Sequence, residues 1–142
     1  VLVSGEIARR AEFEKGFPIH YARRQGEWVP DPLIMDDQCA IIHVKGKGLI
    51  VITGCGHSGI INTIRNAQAI TGIQKIHAVI GGFHLTGGYF EPIIPATIAE
   101  LKQIKPRYLM PGHCTGWAAT HQIARAMPEA YIPNSVGTTL IL

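Results

Sequence analysis

Three times in this chain an apolar run of strand length is followed, within four residues of its end, by glycine and then histidine. Leu49–Thr53 leads into Gly54-Cys55-Gly56-His57, Ile76–Ile80 into Gly81-Gly82-Phe83-His84, and Arg107–Met110 into Pro111-Gly112-His113. Between and after these runs the apolar period changes from two to 3.6. Ile60, Ile61, Ile64, Ala67 and Ala69-Ile70 recur at helical spacing between Ser58, a good N-cap, and Gly72, a good stop. Ile94, Ile98, Leu101 and Ile104 share one face of a second helix over 93–104, and Trp117–Ala126 reads as a third. Strands alternating with helices of this length imply right-handed crossovers and a sheet with helices packed on it. The carboxyl ends of such strands line one edge, where ligands bind, so the three imidazoles are expected to converge there.

Before this alternation, Cys39–Val44 and Leu49–Thr53 flank Lys45-Gly46-Lys47-Gly48, which predicts a β-hairpin. Residues 1–37 carry Gly16-Phe17-Pro18, Pro30-Asp31-Pro32 and charged pairs without a lasting period, and read as a loop-rich lead-in with a short strand. Tyr131-Ile132 and 138–142 are candidates for a short closing strand or two. The class is α/β, or α+β in a layered sandwich, and 142 residues make one domain. With 46% hydrophobic and 16% charged residues the chain can bury a core, which excludes disorder. A formal charge of +3 without a basic run gives no footprint for nucleic acid. Apolar stretches stay far below the roughly 20 residues of a membrane span. Three cysteines match neither a disulfide framework nor a CxxC zinc module, so a reducing, cytoplasmic setting is expected. The opening Val1-Leu2-Val3-Ser4-Gly5-Glu6 reads like the middle of a fold, and a piece of a longer protein is expected.

Neutral imidazoles are borderline-soft donors suited to zinc or iron. A lone strand-end histidine more often bonds a carbonyl, but three in one context favour a metal, held by His57 and His113. His84 is a third ligand, a substrate contact or a support to the ligands. His20, His43, His77 and His121 lack the context and read as structural or surface residues. Cys55 and Cys114 flank these ligands, and a thiolate is a good zinc ligand, but Cys114 reads first as a small packing residue. Cys55 reads mainly so too, with a supporting place beside the ligands as the alternative, and Asp37 of Asp36-Asp37 is a candidate for the same supporting place. Ser58, Thr115 and Gly116 sit where helices begin, offering hydroxyl and free N–H groups to an anion, or simply capping.

At these residues the sequence resembles a known family. Asp36-Asp37-Gln38, Gly48 to Asn62, Gly81-Gly82-Phe83-His84-Leu85 and His113-Cys114-Thr115-Gly116 together resemble the C-terminal half of metallo-β-lactamase-fold hydrolases. They are most similar to the branch related to the dihydropterin-ribofuranosyl-aminobenzene phosphate synthase, as are Gly5-Glu6-Ile7, Arg9 and Phe13-Glu14. The resemblance implies half of an αββα sandwich and a zinc centre of one or two ions at the sheet edge, iron or another divalent metal being the alternative. It also implies metal-assisted hydrolysis of a small, phosphorylated or pterin-like substrate. His57 and His113 match the family's downstream metal histidines, and His84 a motif histidine of the branch. The superfamily's His-x-His-x-Asp-His motif belongs to the first half of the fold and occurs nowhere in this chain. The expectation is therefore a metal-dependent hydrolase whose site is incomplete here, with an apolar sheet face that a second copy or the missing half covers. The other reading is a non-catalytic metal- or phosphate-binding domain.

Overall fold

Residues 1–141 are described by a computed structural model, and the chain enters it along the edge of a sheet. β1 (Leu2–Val3) pairs antiparallel with β4 (Cys39–Val44), and between them β2 (Tyr21–Arg24) and β3 (Glu27–Pro30) form a separate two-stranded hairpin. That second hairpin was not expected in the lead-in. Its strands are almost wholly exposed, so no apolar alternation marks them. What does mark it is the turn, where Gln25 and Gly26 both take positive φ (52° and 91°), the geometry of a tight two-residue connection.

β4 runs antiparallel to β5 (Gly48–Thr53), with Cys39 opposite Thr53 and Val44 opposite Gly48, as the sequence predicts. From β5 the chain alternates through α1 (Ile60–Thr71), β6 (Ile76–Gly82), α2 (Ile94–Ile104), β7 (Tyr108–Gly112) and α3 (Trp117–Ala126). β5, β6 and β7 are parallel neighbours, giving a mixed sheet of order β1-β4-β5-β6-β7. α2 starts one residue later than predicted, after a single 3-10 turn over Glu91–Ile93 whose Pro92 lacks an N–H. The expected closing strand reduces to one parallel bridge between Tyr131 and Leu109; no strand forms over 138–141, and Leu142 lies outside the described residues.

All three helices contribute to one core. Ile60, Ile61 and Ile64 of α1, Ile94 and Leu101 of α2, and Ile123 of α3 pack with Leu49, Val51, Val79 and Leu109, all at most 1% exposed. Fully burying an aliphatic side chain of this size stabilises by about 1.5–3 kcal/mol. The alternate strand residues Ala40, Ile42, Ile50, Ile52, Ala78, Ile80 and Met110 point to the opposite face and stand outside that core. The sheet is therefore dressed with helices on one side.

The start of α1 departs from the prediction. Its N-cap is Gly59 (φ 93°), not Ser58, and no side chain of the cap residue bonds the first turn. The free N–H groups are taken by Glu14, whose Oε1 accepts from Ile61 N (2.9 Å) and Oε2 from Asn62 N (2.7 Å). A Cβ at residue 59 would lie 2.2 Å from the Glu14 carboxyl, so only glycine admits this carboxylate. Asn62 completes the clasp: its Oδ1 accepts from Arg10 N and Ala11 N, both at 2.6 Å, and its Nδ2 donates to the Ser58 carbonyl. Four hydrogen bonds thus tie the lead-in to the helix that opens the βα repeat.

Candidate metal centre

The carboxyl ends of β5, β6 and β7 carry the three glycine-histidine turns to one edge, as the alternation requires. The imidazoles nevertheless divide into two groups. His57 and His84 meet edge to face, ring centroids 4.5 Å apart, and His84 also lies edge-on to Phe90 at 4.6 Å. His113 turns towards the cysteines instead: its Nε2 lies 3.2 Å from Cys55 Sγ, and Cys114 Sγ donates to the Cys55 carbonyl at 3.1 Å. Ligand atoms of Cys55, His113 and Cys114 all fall within 4.8 Å of one another. Cys55 and Cys114 are both half-buried at the edge, and their sulfurs lie beside the His113 imidazole.

Gly82 makes this approach possible. A Cβ there would stand 2.6 Å from Cys114 Sγ and 2.7 Å from the His113 ring, so the end of β6 must be glycine for the β7 turn to close over it. Burial pushes the Cys114 thiol up to about 11, and the neighbouring Cys55 adds to the rise. Burial also lowers the His84 pKa, helped by the nearby His57 imidazole and opposed by the Asp37 charge. His84 itself has φ 45°, the left-handed region that a non-glycine residue enters at a cost of about 1–3 kcal/mol. Its Nδ1 is buried without a hydrogen-bond partner. A buried imidazole nitrogen without a partner, next to the His57 ring, suits a borderline-soft divalent metal.

The anion-binding hydroxyls expected at the helix starts are engaged within the fold. Ser58 Oγ and N both donate to Asp37 Oδ2 (2.5 and 2.7 Å), which fixes the His57 turn and gives Asp37 its place beside the site. Thr115 is 1% exposed and its Oγ1 accepts from Phe83 N, locking the β6 turn to the 3-10 turn over His113–Thr115. Gly116, with φ 76°, is the N-cap of α3. Of the histidines set aside, His20 bonds the Asp31 carbonyl, His77 meets Tyr108 edge-on, His121 lies 5.7 Å from Trp117, and His43 is exposed on β4.

Beside the imidazole pair opens a cavity of about 300 Å³ lined by Phe13, Glu14, Lys15, His57, Phe83, His84, Tyr89 and Phe90. Sequence reading did not find Glu14 as part of this wall, because its partners lie 47 and 48 residues away. Burial pushes its carboxyl up to about 7, against the two backbone N–H groups and the Arg65 and Arg9 charges that pull it down. The folded-state value lies above the ordinary 4.5, so folding favours the protonated form. Stability from this group is full below about pH 4.5 and is lost as pH rises through about 7. Glu14→Gln is expected to flatten the fall in the urea midpoint between pH 5 and 8; an unchanged slope would show that another group carries it.

No family model matches the chain. It is 35% identical over 134 residues to the 7,8-dihydropterin-6-methyl-4-(beta-D-ribofuranosyl)-aminobenzene-5'-phosphate synthase of Methanocaldococcus jannaschii, covering 92% of this chain and 45% of that protein. It is 33% identical over 128 residues to an uncharacterized protein of the same organism, covering 88% and 44%. The fold superposes on the crystal structure of a metal-dependent hydrolase of the β-lactamase superfamily with a TM-score of 0.80 at 28% identity, over 93% of this chain and 51% of that one. The chain thus spans about half the length of the proteins it matches. Over more than nine-tenths of its residues this chain therefore resembles the synthase and shares the fold of a metal-dependent hydrolase of the β-lactamase superfamily.

Proposed function

We propose that this chain forms part of a metal-dependent hydrolase acting on a small, phosphorylated or pterin-like substrate. The observation that carries the reading is the gathering of Cys55, His113 and Cys114 at the sheet edge, next to a cavity that holds His57 and His84. Zinc, one ion or two, suits these donors best, with iron as the alternative, and when bound it supplies Lewis acidity that activates water and polarises the scissile bond. His113, with Cys55 and Cys114, would hold it, and His57 and His84 extend the donor set towards the cavity. His84 presents a buried Nδ1 that no hydrogen bond engages within the fold. Phe13, Phe83 and Phe90 give the cavity flat apolar walls that suit a heteroaromatic group and exclude water, and Lys15 at its lining suits an anionic one. The printed name of the synthase relative, with its dihydropterin and phosphate, supports the same substrate class.

The second reading, a non-catalytic metal- or phosphate-binding domain, draws on the absence of His-x-His-x-Asp-His from the sequence. On the first reading, the face bearing Ile42, Ile52 and Ile80 is covered in the working protein by a further β-layer or a second copy, and sedimentation of this chain alone should show self-association. The two readings separate on turnover. Phosphate-ester hydrolysis by this chain loaded with zinc and combined with the segment that completes its site, abolished by a chelator and restored by zinc, is expected; metal binding without turnover in that complete form selects the second reading.

A further inference from the structure

We propose that Cys55 and Cys114 are a reversible dithiol–disulfide pair, so that the sheet edge is also a site of oxidation by peroxide. Their sulfurs lie within 4.8 Å of each other although 59 residues separate them in sequence. Cys114 Sγ already rests on the Cys55 carbonyl at 3.1 Å. The bond itself is about 2.05 Å long, so one sulfur must move by less than 3 Å or so. Cys114 can make that move. It sits mid-way in a single 3-10 turn, His113–Thr115, with Gly112 and Gly116 on either side, and no Cβ of residue 82 stands in its way. Both thiols are half-buried at the edge, within reach of a small oxidant, whereas the third cysteine, Cys39, is 3% exposed and packed in the core.

The roles of the two sulfurs follow from their neighbours. Cys55 Sγ faces the exposed His113 ring at 3.2 Å, while Cys114 Sγ is turned onto the Cys55 carbonyl, so Cys55 is the sulfur that attacks. A new S–O bond forms as the peroxide O–O bond breaks; sulfur is oxidised to the sulfenic acid, peroxide is reduced, and the leaving hydroxide takes the Cys55 thiol proton and departs as water. Cys114 then attacks the Cys55 sulfur. The S–S bond forms, the S–O bond breaks, and hydroxide leaves with the Cys114 proton as a second water. Two thiols and one hydrogen peroxide thus give one disulfide and two waters. Formation of this bond withdraws both thiolates from any metal held beside His113, which couples metal occupancy to oxidation.

The test is hydrogen peroxide titration of the chelator-treated chain, read by intact mass and by counting thiols after unfolding. Wild type is expected to lose 2 Da and two of its three thiols, with a peptide linking residues 55 and 114, and a dithiol reductant should restore both. Cys114→Ser should stop at a sulfenic acid on Cys55 that dimedone traps, and Cys39→Ser should behave as wild type. Gain of 32 Da without a cross-link, linkage only between chains, or three unreacted thiols would overturn the proposal. Zinc added first should slow the reaction. Disulfide formation that zinc leaves unchanged would retain this proposal while counting against the metal reading, so the two fail separately.

Discussion

His113→Ala is expected to lower zinc affinity by well over the 10–100-fold that losing even the hydrogen-bond partner of a metal ligand costs. The side chain is exposed and its Nε2 faces Cys55 Sγ, so its removal takes away the only imidazole in that three-residue group without opening the core. His121→Ala, on α3 against Trp117, provides the control with unchanged metal content. Competition with a chromophoric chelator reads both. Equal affinity in wild type and His113→Ala would remove the sulfur–imidazole group from the account.

The largest expected effect on stability lies at Asn62, which is fully buried in the first turn of α1. Asn62→Ala strands the backbone N–H groups of Arg10 and Ala11, whose shared acceptor is Asn62 Oδ1. A buried donor left unsatisfied costs about 1–3 kcal/mol, so the substitution should destabilise by about 2–5 kcal/mol. Urea unfolding at unchanged m-value measures it. The loss should come with release of the segment around Glu14, seen as faster amide exchange at Ile61 and Asn62, because the clasp is reciprocal. A loss below about 1 kcal/mol would mean that water replaces the side chain.

What was legible in the sequence is what local periodicity encodes. Isoleucine and valine runs such as Leu49–Ile52 announce buried strands, the Ile60, Ile64, Ala67 spacing announces α1, and Gly72, left-handed at φ 72°, ends it where its residue type says it should. The glycine-histidine ends were legible because glycine allows the close approach that an edge site needs, as Gly82 shows. Features set by distant partners were not. Ser58 looks like a cap, yet its hydroxyl donates to Asp37, and Glu14 supplies the acceptors at the helix start from 47 residues away. The Cys55–Cys114 contact likewise spans 59 residues, and no spacing rule reports it. The β2–β3 hairpin escaped because it is solvated on both faces and only its Gln25-Gly26 turn carries a signal.

The central claim is that sulfur and imidazole hold a metal at this sheet edge, and cobalt(II) titration of the reduced chain tests it most directly. Cobalt bound as the account requires gives an intense near-ultraviolet sulfur-to-metal charge-transfer band, diminished in Cys55→Ser and in Cys114→Ser and displaced stoichiometrically by zinc. Cobalt bound without that band, or bound equally well by both serine variants, would contradict it.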